Sequence, residues 1–225
     1  MMYTDENNGN FPRRTTSSGR WIDVLWEYYA SNEDIRLCPL VTKLANPTGE
    51  TGLSWWGGTF LAWGKVPPWD SGGGRTVGVY GSYGINGYVY VPGSDPMYKA
   101  AARFWRTPNV KGAAEIPLFL DNYFWCGWPD DDDTPPVSDG AQIRGDENAM
   151  NRYCLNRHDG AINAVFLDYS IRKVGLKELW TLNWHTGRGS VLPFNRANAW
   201  TLAGGVTTDD WKNWGDGWMA KFKNY

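Results

Sequence analysis

Asn156-Arg157-His158-Asp159-Gly160-Ala161-Ile162-Asn163-Ala164-Val165-Phe166-Leu167-Asp168, followed by Tyr169-Ser170-Ile171-Arg172-Lys173-Val174, is the clearest supersecondary pattern in the chain. Residues 161–167 and 170–174 read as two strands flanking Asp168-Tyr169, the signal of a β-hairpin. A two-residue turn with positive φ at both central positions prefers Asp-Gly or Asn-Gly. Tyr169 stands where Gly is easiest, so the expected turn is longer or of another type. Downstream, residues 176–184 predict a short helix packing back onto the hairpin. Residues 186–225, with Trp200, Trp211, Trp214 and Trp218, read as an aromatic extension wrapped on the body.

Upstream of the hairpin, residues 115–125 read as a buried strand, with Ile116, Leu118, Phe119 and Leu120 in its first half. The acidic run Asp130-Asp131-Asp132-Asp133 sits between Pro129 and Pro135-Pro136, which excludes a helix or a central strand there. A helix is expected over 96–105, and glycine-broken strand over 76–91. The Gly/Pro/Trp-rich stretch after Leu37-Cys38-Pro39, up to about Gly74, has no period and reads as surface loop. Residues 20–31 predict a helix, because Trp21, Ile22, Leu25, Trp26 and Tyr29 share one face. Residues 1–10 read as the end of a helix that exits through Asn7-Asn8-Gly9 ahead of Pro12. A helix that short has no independent stability, so the chain reads as beginning partway through an element.

The 225 residues carry a formal net charge of -2. No overall field therefore attracts nucleic acid, and the basic cluster Arg172, Lys173 and Lys177 is too small to do so. Aromatics make up 16% of the chain, with 15 Trp, beside 27 Gly and 13 Pro; that describes an ordered, loop-rich fold, since disordered chains are poor in aromatics. No apolar run reaches the ~18 residues that span a bilayer, and the chain as given reads as soluble. No internal repeat or Gly/Ser linker divides it, so residues 1–225 read as one domain. Cys38, Cys126 and Cys154 show no CxxC and no paired Cys/His spacing, which argues against a zinc site. Two states fit them: one long-range disulfide with a leftover thiol, or three buried thiols.

Taken in order, these segments resemble the bacterial prepilin-like proteins that carry a His-X9-Asp-Gly motif, a group best known from planctomycetes. Nine residues separate His158 from Asp168, and the departure is Tyr169 for the motif's Gly. Further landmarks of the resemblance are Asp5-Glu6-Asn7-Asn8-Gly9 with Phe11-Pro12, Leu37-Cys38-Pro39, Tyr83-Gly84-Ile85-Asn86-Gly87, Trp128-Pro129, and Lys173-Val174-Gly175-Leu176-Lys177-Glu178-Leu179-Trp180. They run from the first residue to about His185. The resemblance implies an α+β pilin-like domain, with the remnant of an N-terminal helix packed on an antiparallel sheet and long aromatic-rich loops. It also implies a long hydrophobic helix ahead of Met1 as filament core and sole membrane contact. Self-association, a secretion or pilus assembly machinery as partner, and an extracellular, cell-surface or periplasmic location follow from it as well.

The candidate chemistry is weighed against this non-catalytic reading. His158 paired with Asp168 or Asp159 would orient an imidazole for base catalysis. No Gly-x-Ser-x-Gly elbow or Cys beside a base supplies a nucleophile. The plainer expectation is that His158 bonds backbone where its strand begins and that Asp168 closes the hairpin. Asp130, Asp131, Asp132, Asp133 and Asp139, with Asp146 and Glu147 near, are hard oxygen ligands whose repulsion a calcium ion would offset. No EF-hand spacing is present, and a solvated acidic loop is the alternative. The resemblance adds that major pseudopilins hold calcium in this domain. As a glycosidase pair these carboxylates are too close in sequence to reach the ~5–9 Å opposed geometry. Trp125 and Trp128 suit sugar stacking, which keeps a soluble carbohydrate- or ligand-binding module as the second functional reading. Gly72-Gly73-Gly74-Arg75 lacks the Lys-Ser/Thr ending of a phosphate loop and reads as flexible.

Overall fold

A computed structural model describes residues 2–14, 20–29, 32–45, 56–65, 79–92, 100–140, 148–187 and 199–225. The first helix, α1, spans Met2–Glu6 and ends as the Asn-Asn-Gly exit requires. Asn8 and Gly9 both adopt positive φ, and the Gly9 amide donates back to Thr4 O at 2.7 Å. β1 (Arg13–Arg14) follows, then α2 (Trp21–Val24). Next come β2 (Lys43–Leu44), β3 (Leu61–Lys65), β4 (Val79–Gly81), β5 (Tyr83–Asn86), β6 (Val91–Pro92), β7 (Pro117–Asp121) and β8 (Cys126–Gly127). β9 (Ala161–Phe166), β10 (Ile171–Gly175) and α3 (Thr208–Asn213) complete the order. The protein is thus a mixed α and β structure.

The central element is a five-stranded sheet in the order β10-β9-β7-β5-β8. β10, β9, β7 and β5 are antiparallel neighbours, but β8 runs parallel to β5, so the expected all-antiparallel sheet becomes a mixed one. β2 and β3, both inside the region read as loop up to Gly74, join β4 in a separate three-stranded sheet. The described part of the strand expected over 76–91 is split among β4, β5 and the start of β6, which belong to three sheets, and β4 and β5 part at Ser82. There the Ser82 amide donates to Arg36 O (2.8 Å) and its carbonyl accepts from the Asn122 amide (2.8 Å).

The hairpin turn explains how Tyr169 is tolerated. Phe166 N–H bonds Ser170 O and Tyr169 N–H bonds Phe166 O, each at 2.9 Å, enclosing a three-residue loop. Tyr169 takes the left-handed conformation (φ 66°), as the last residue of a type I turn followed by a bulge must. Asp168 secures the turn by accepting from the Ser170 amide (3.0 Å) and hydroxyl (2.7 Å).

Three expected helices are shorter or tighter. The 20–31 helix is one α-turn, α2, followed by a 3₁₀ turn over Trp26–Tyr29. Tyr29 reaches back to donate to Ile22 O (3.2 Å), taking a carbonyl that a continuing α-helix would use. The 176–184 helix is a 3₁₀ stretch over Leu176–Thr181. There the Thr181 hydroxyl and the Trp184 indole take the carbonyls of Glu178 and Leu179, each at 2.8 Å. Of the helix expected over 96–105, the described residues 100–105 hold the single turn Ala101–Arg103, and Phe104 is already extended.

On the inner face Leu118, Leu120, Ile162, Ala164, Phe166 and Val174 join a core that runs from Phe11 to Met219. The Trp-rich extension belongs to that core. Trp211 is buried, with Trp180 and Trp200 edge-on to it. The indoles of Trp214 and Trp218 donate to Pro135 O (2.8 Å) and Pro136 O (2.9 Å), fastening the chain end over the proline-flanked acidic loop.

Candidate functional site

The two motif residues do not act on each other. Asp168 lies at the turn and His158 before the other end of β9, a six-residue strand, so about 20 Å of extended backbone separates them. That removes a His158–Asp168 catalytic pair. Asp168 is held ionised, its pKa lowered by the Ser170 hydroxyl and amide that donate to it. The His158 amide donates to Ala161 O (3.1 Å) ahead of β9.

The His158 ring instead enters a polar cluster assembled from three distant segments. Its Nε2 lies 3.0 Å from Asp121 Oδ2, 3.5 Å from Cys38 Sγ and 3.0 Å from Asn163 Nδ2. Asp121 closes β7 and is fully buried. Arg157, equally buried, donates to its Oδ1 at 2.7 Å, and the Asn163 amide donates to its Oδ2 at 2.8 Å. Arg157 also donates to the carbonyls of Thr59 (2.7 Å), Ser82 (2.8 Å) and Gly58 (3.0 Å), tying β7 to both neighbouring loops. Cys38 is buried, and its amide donates to Ser82 Oγ at 2.6 Å. Burial pushes its thiol pKa up, the nearby Asp121 charge adds to this, and Arg157 opposes it. Cys38, Asp121 and His158 place their ligand atoms within 4.8 Å of one another, the one such grouping among the described residues.

Beside this cluster a groove of 590 Å³ crosses the outer face of the sheet. Trp21, Leu25, Tyr29, Phe119, Val165 and Ile171 make it apolar, while Tyr83 and Asn163 form its polar border. Ile171 is 74% exposed, so this face of β9 and β10 is not covered by the described chain. α1 packs on Tyr28 through Tyr3, edge-on to its ring, and Glu6, which accepts from the Tyr28 hydroxyl at 2.5 Å.

The acidic loop holds its carboxylates apart. Asp130 pairs with Arg103 and accepts from the Tyr88 hydroxyl at 3.0 Å. Asp133 is buried and accepts from the amides of Asp130 (3.1 Å) and Met150 (2.9 Å). Burial raises its pKa to about 7 against these opposing bonds. Asp139 accepts from the Thr59 hydroxyl (3.0 Å) and the Asn156 amide (3.3 Å), Asp131 is half-buried, and Asp132 is exposed. Among the described residues these five carboxylates form no common ligand group. Asp146, Glu147 and the Gly72–Arg75 run lie outside the described residues. Asp159, exposed and at positive φ, takes no part in the cluster around His158.

Trp125 and Trp128 are not sugar platforms. Both are buried, and the Arg14 guanidinium stacks on them at 4.4 and 4.6 Å from their ring centres. The basic residues 172, 173 and 177 do not form a patch either. Arg172 pairs with Glu178 and Glu115, while Lys177 is buried, donating to Phe222 O and Asn224 with Trp211 beneath it. All three cysteines are free and buried, which decides between the two states the sequence leaves open. Among the described residues no helix is long and apolar enough to cross a membrane. Set against known protein families, curated proteins and solved structures, the chain matches none of them.

Proposed function

We propose that this chain is the globular part of a pilin- or pseudopilin-like subunit, a non-catalytic component of an extracellular or cell-surface filament. The observation that carries the reading is the uncovered apolar face of β9 and β10. On this reading an apolar helix ahead of the domain packs on the surface made by Leu25, Phe119, Val165 and Ile171. Burying such side chains is worth ~25 cal/mol per Å², so a helix laid there would gain both support and orientation. The motif is consistent with a structural role, since His158 anchors the base of β9 and Asp168 closes its far end.

In an open filament, identical copies associate head-to-tail, with the apolar helix in the centre and this domain outside. Immunogold electron microscopy of intact source cells tests the reading. Antibody against this domain is expected to decorate surface filaments along their length; label confined to secreted, unassembled protein would contradict it.

A further inference from the structure

We propose that Cys38, Asp121 and His158 are the protein ligands of a transition-metal site, with zinc the ion whose preferences they fit. This rests on the cluster alone and stands apart from the filament reading. Two of the three donor spacings lie close to those of a coordination sphere, and the third is within 4.8 Å. Zn–S of about 2.3 Å and Zn–N of about 2.05 Å at a tetrahedral angle put the two donors about 3.6 Å apart. Cys38 Sγ and His158 Nε2 are 3.5 Å apart. The matching nitrogen–oxygen spacing is about 3.3 Å, and the Asp121 Oδ2 to His158 Nε2 distance is 3.0 Å.

With the Asn163 amide turned as it stands, a proton serves this cluster poorly. Nε2 holds one hydrogen or one lone pair, yet it meets a carboxylate oxygen, a sulfur and an amide nitrogen at once. If Nε2 is protonated it can donate to Asp121, and then only a half-turn of the Asn163 amide that presents Oδ1 removes the opposition of its N–H. If it is unprotonated it can accept from Asn163 or Cys38, but then it faces the Asp121 lone pairs at 3.0 Å. A cation at the common point is attractive to all three donors. A half-turn of the Asn163 amide presents Oδ1 as a fourth ligand, or a water fills that place from the groove that Asn163 and Tyr83 border.

Charge and softness choose the metal. A thiolate and a carboxylate supply two negative charges for a divalent ion, and sulfur with imidazole disfavours calcium and magnesium. Arg157 on the outer oxygen of Asp121 is the supporting partner that fixes the carboxylate's direction, as outer-shell groups do at metal sites. Its positive charge faces the oxygen turned away from the ion. Because a thiol must lose its proton to bind, metal uptake weakens as pH falls.

Chelator-treated full chain titrated with Co²⁺ tests the proposal. One equivalent is expected to give thiolate-to-metal charge-transfer absorption and the intense visible bands of a tetrahedral ion, displaced by Zn²⁺. Folded Cys38→Ser loses the charge-transfer band. Cys126→Ala and Cys154→Ala keep it; with three cysteines in the chain, that assigns the sulfur even where Cys38→Ser does not fold. Zn²⁺ at a hundredfold excess over Kd raises Tm by roughly 5–10 °C. No charge-transfer band in the wild type overturns the proposal. So does a band that survives in folded Cys38→Ser, or one lost in folded Cys126→Ala or Cys154→Ala.

Discussion

Replacing Arg157 by Met removes the tie that holds β7 to its surroundings, and the cost can be worked from its contacts. The guanidinium has no solvent exposure; it donates to Asp121 and to the carbonyls of Gly58, Thr59 and Ser82. Met fills much of the volume, so cavity formation is a minor contribution. Breaking a buried pair from one side costs about 3–5 kcal/mol, because the partner's charge stays behind. Asp121 keeps two contacts on Oδ2, from Asn163 and His158, which places the ion-pair loss toward the lower end. The Gly58 and Thr59 carbonyls lose this donor, at ~1–3 kcal/mol each before water reaches them, while Ser82 O keeps the Asn122 amide; the expected total is about 5 kcal/mol. For a chain of this length that is a fall in Tm of roughly 10–20 °C. The assay is thermal unfolding at pH 7 in chelator, followed by tryptophan fluorescence, so that protein contacts alone are read. Arg157→Lys, which keeps the charge but not the fork, should fall between. In a cycle with Asp121→Asn the double variant should be more stable than additivity predicts by about 2 kcal/mol. A loss below ~1 kcal/mol for Arg157→Met, or strict additivity, would refute the reasoning.

Tyr169→Gly should raise stability by about 0.5–1 kcal/mol, because relief of left-handed strain exceeds the entropy cost of glycine; chemical denaturation would show the midpoint move up, and a lower midpoint would contradict the turn assignment. Asp133 has a folded pKa of about 7, above its unfolded value of 3.8. The folded state therefore binds the extra proton, and stability falls as pH rises from about 4 through 7. Asp133→Asn should lose that slope and exceed the wild type in Tm above pH 7, as melting curves at several pH values would show; parallel profiles for the two proteins would oppose it.

The hairpin was legible because its signal is local: apolar and β-branched runs on either side of a turn dipeptide. The helix exit at Asn8-Gly9 was legible for the same reason. The cluster at His158 was not. Cys38 and His158 are 120 residues apart, and only the neighbouring placement of β5, β7 and β9 brings Asp121 and Ser82 between them. Leu37-Cys38-Pro39 stood out in the sequence, but nothing local pointed from it to Asp121. Helices were overread where apolar periodicity was present but side chains such as Tyr29, Thr181 and Trp184 claim backbone carbonyls. Trp125 and Trp128 misled as surface platforms because the Arg14 that stacks on them lies over 100 residues earlier.

The central claim, that this domain belongs to a filament subunit, is tested most directly by the intact mass and N-terminal sequence of the protein purified from its native source. The account predicts a processed terminus followed by a long apolar helix that runs into Met2–Glu6. A native chain that begins at Met1 would contradict it and would leave the apolar groove to a ligand instead.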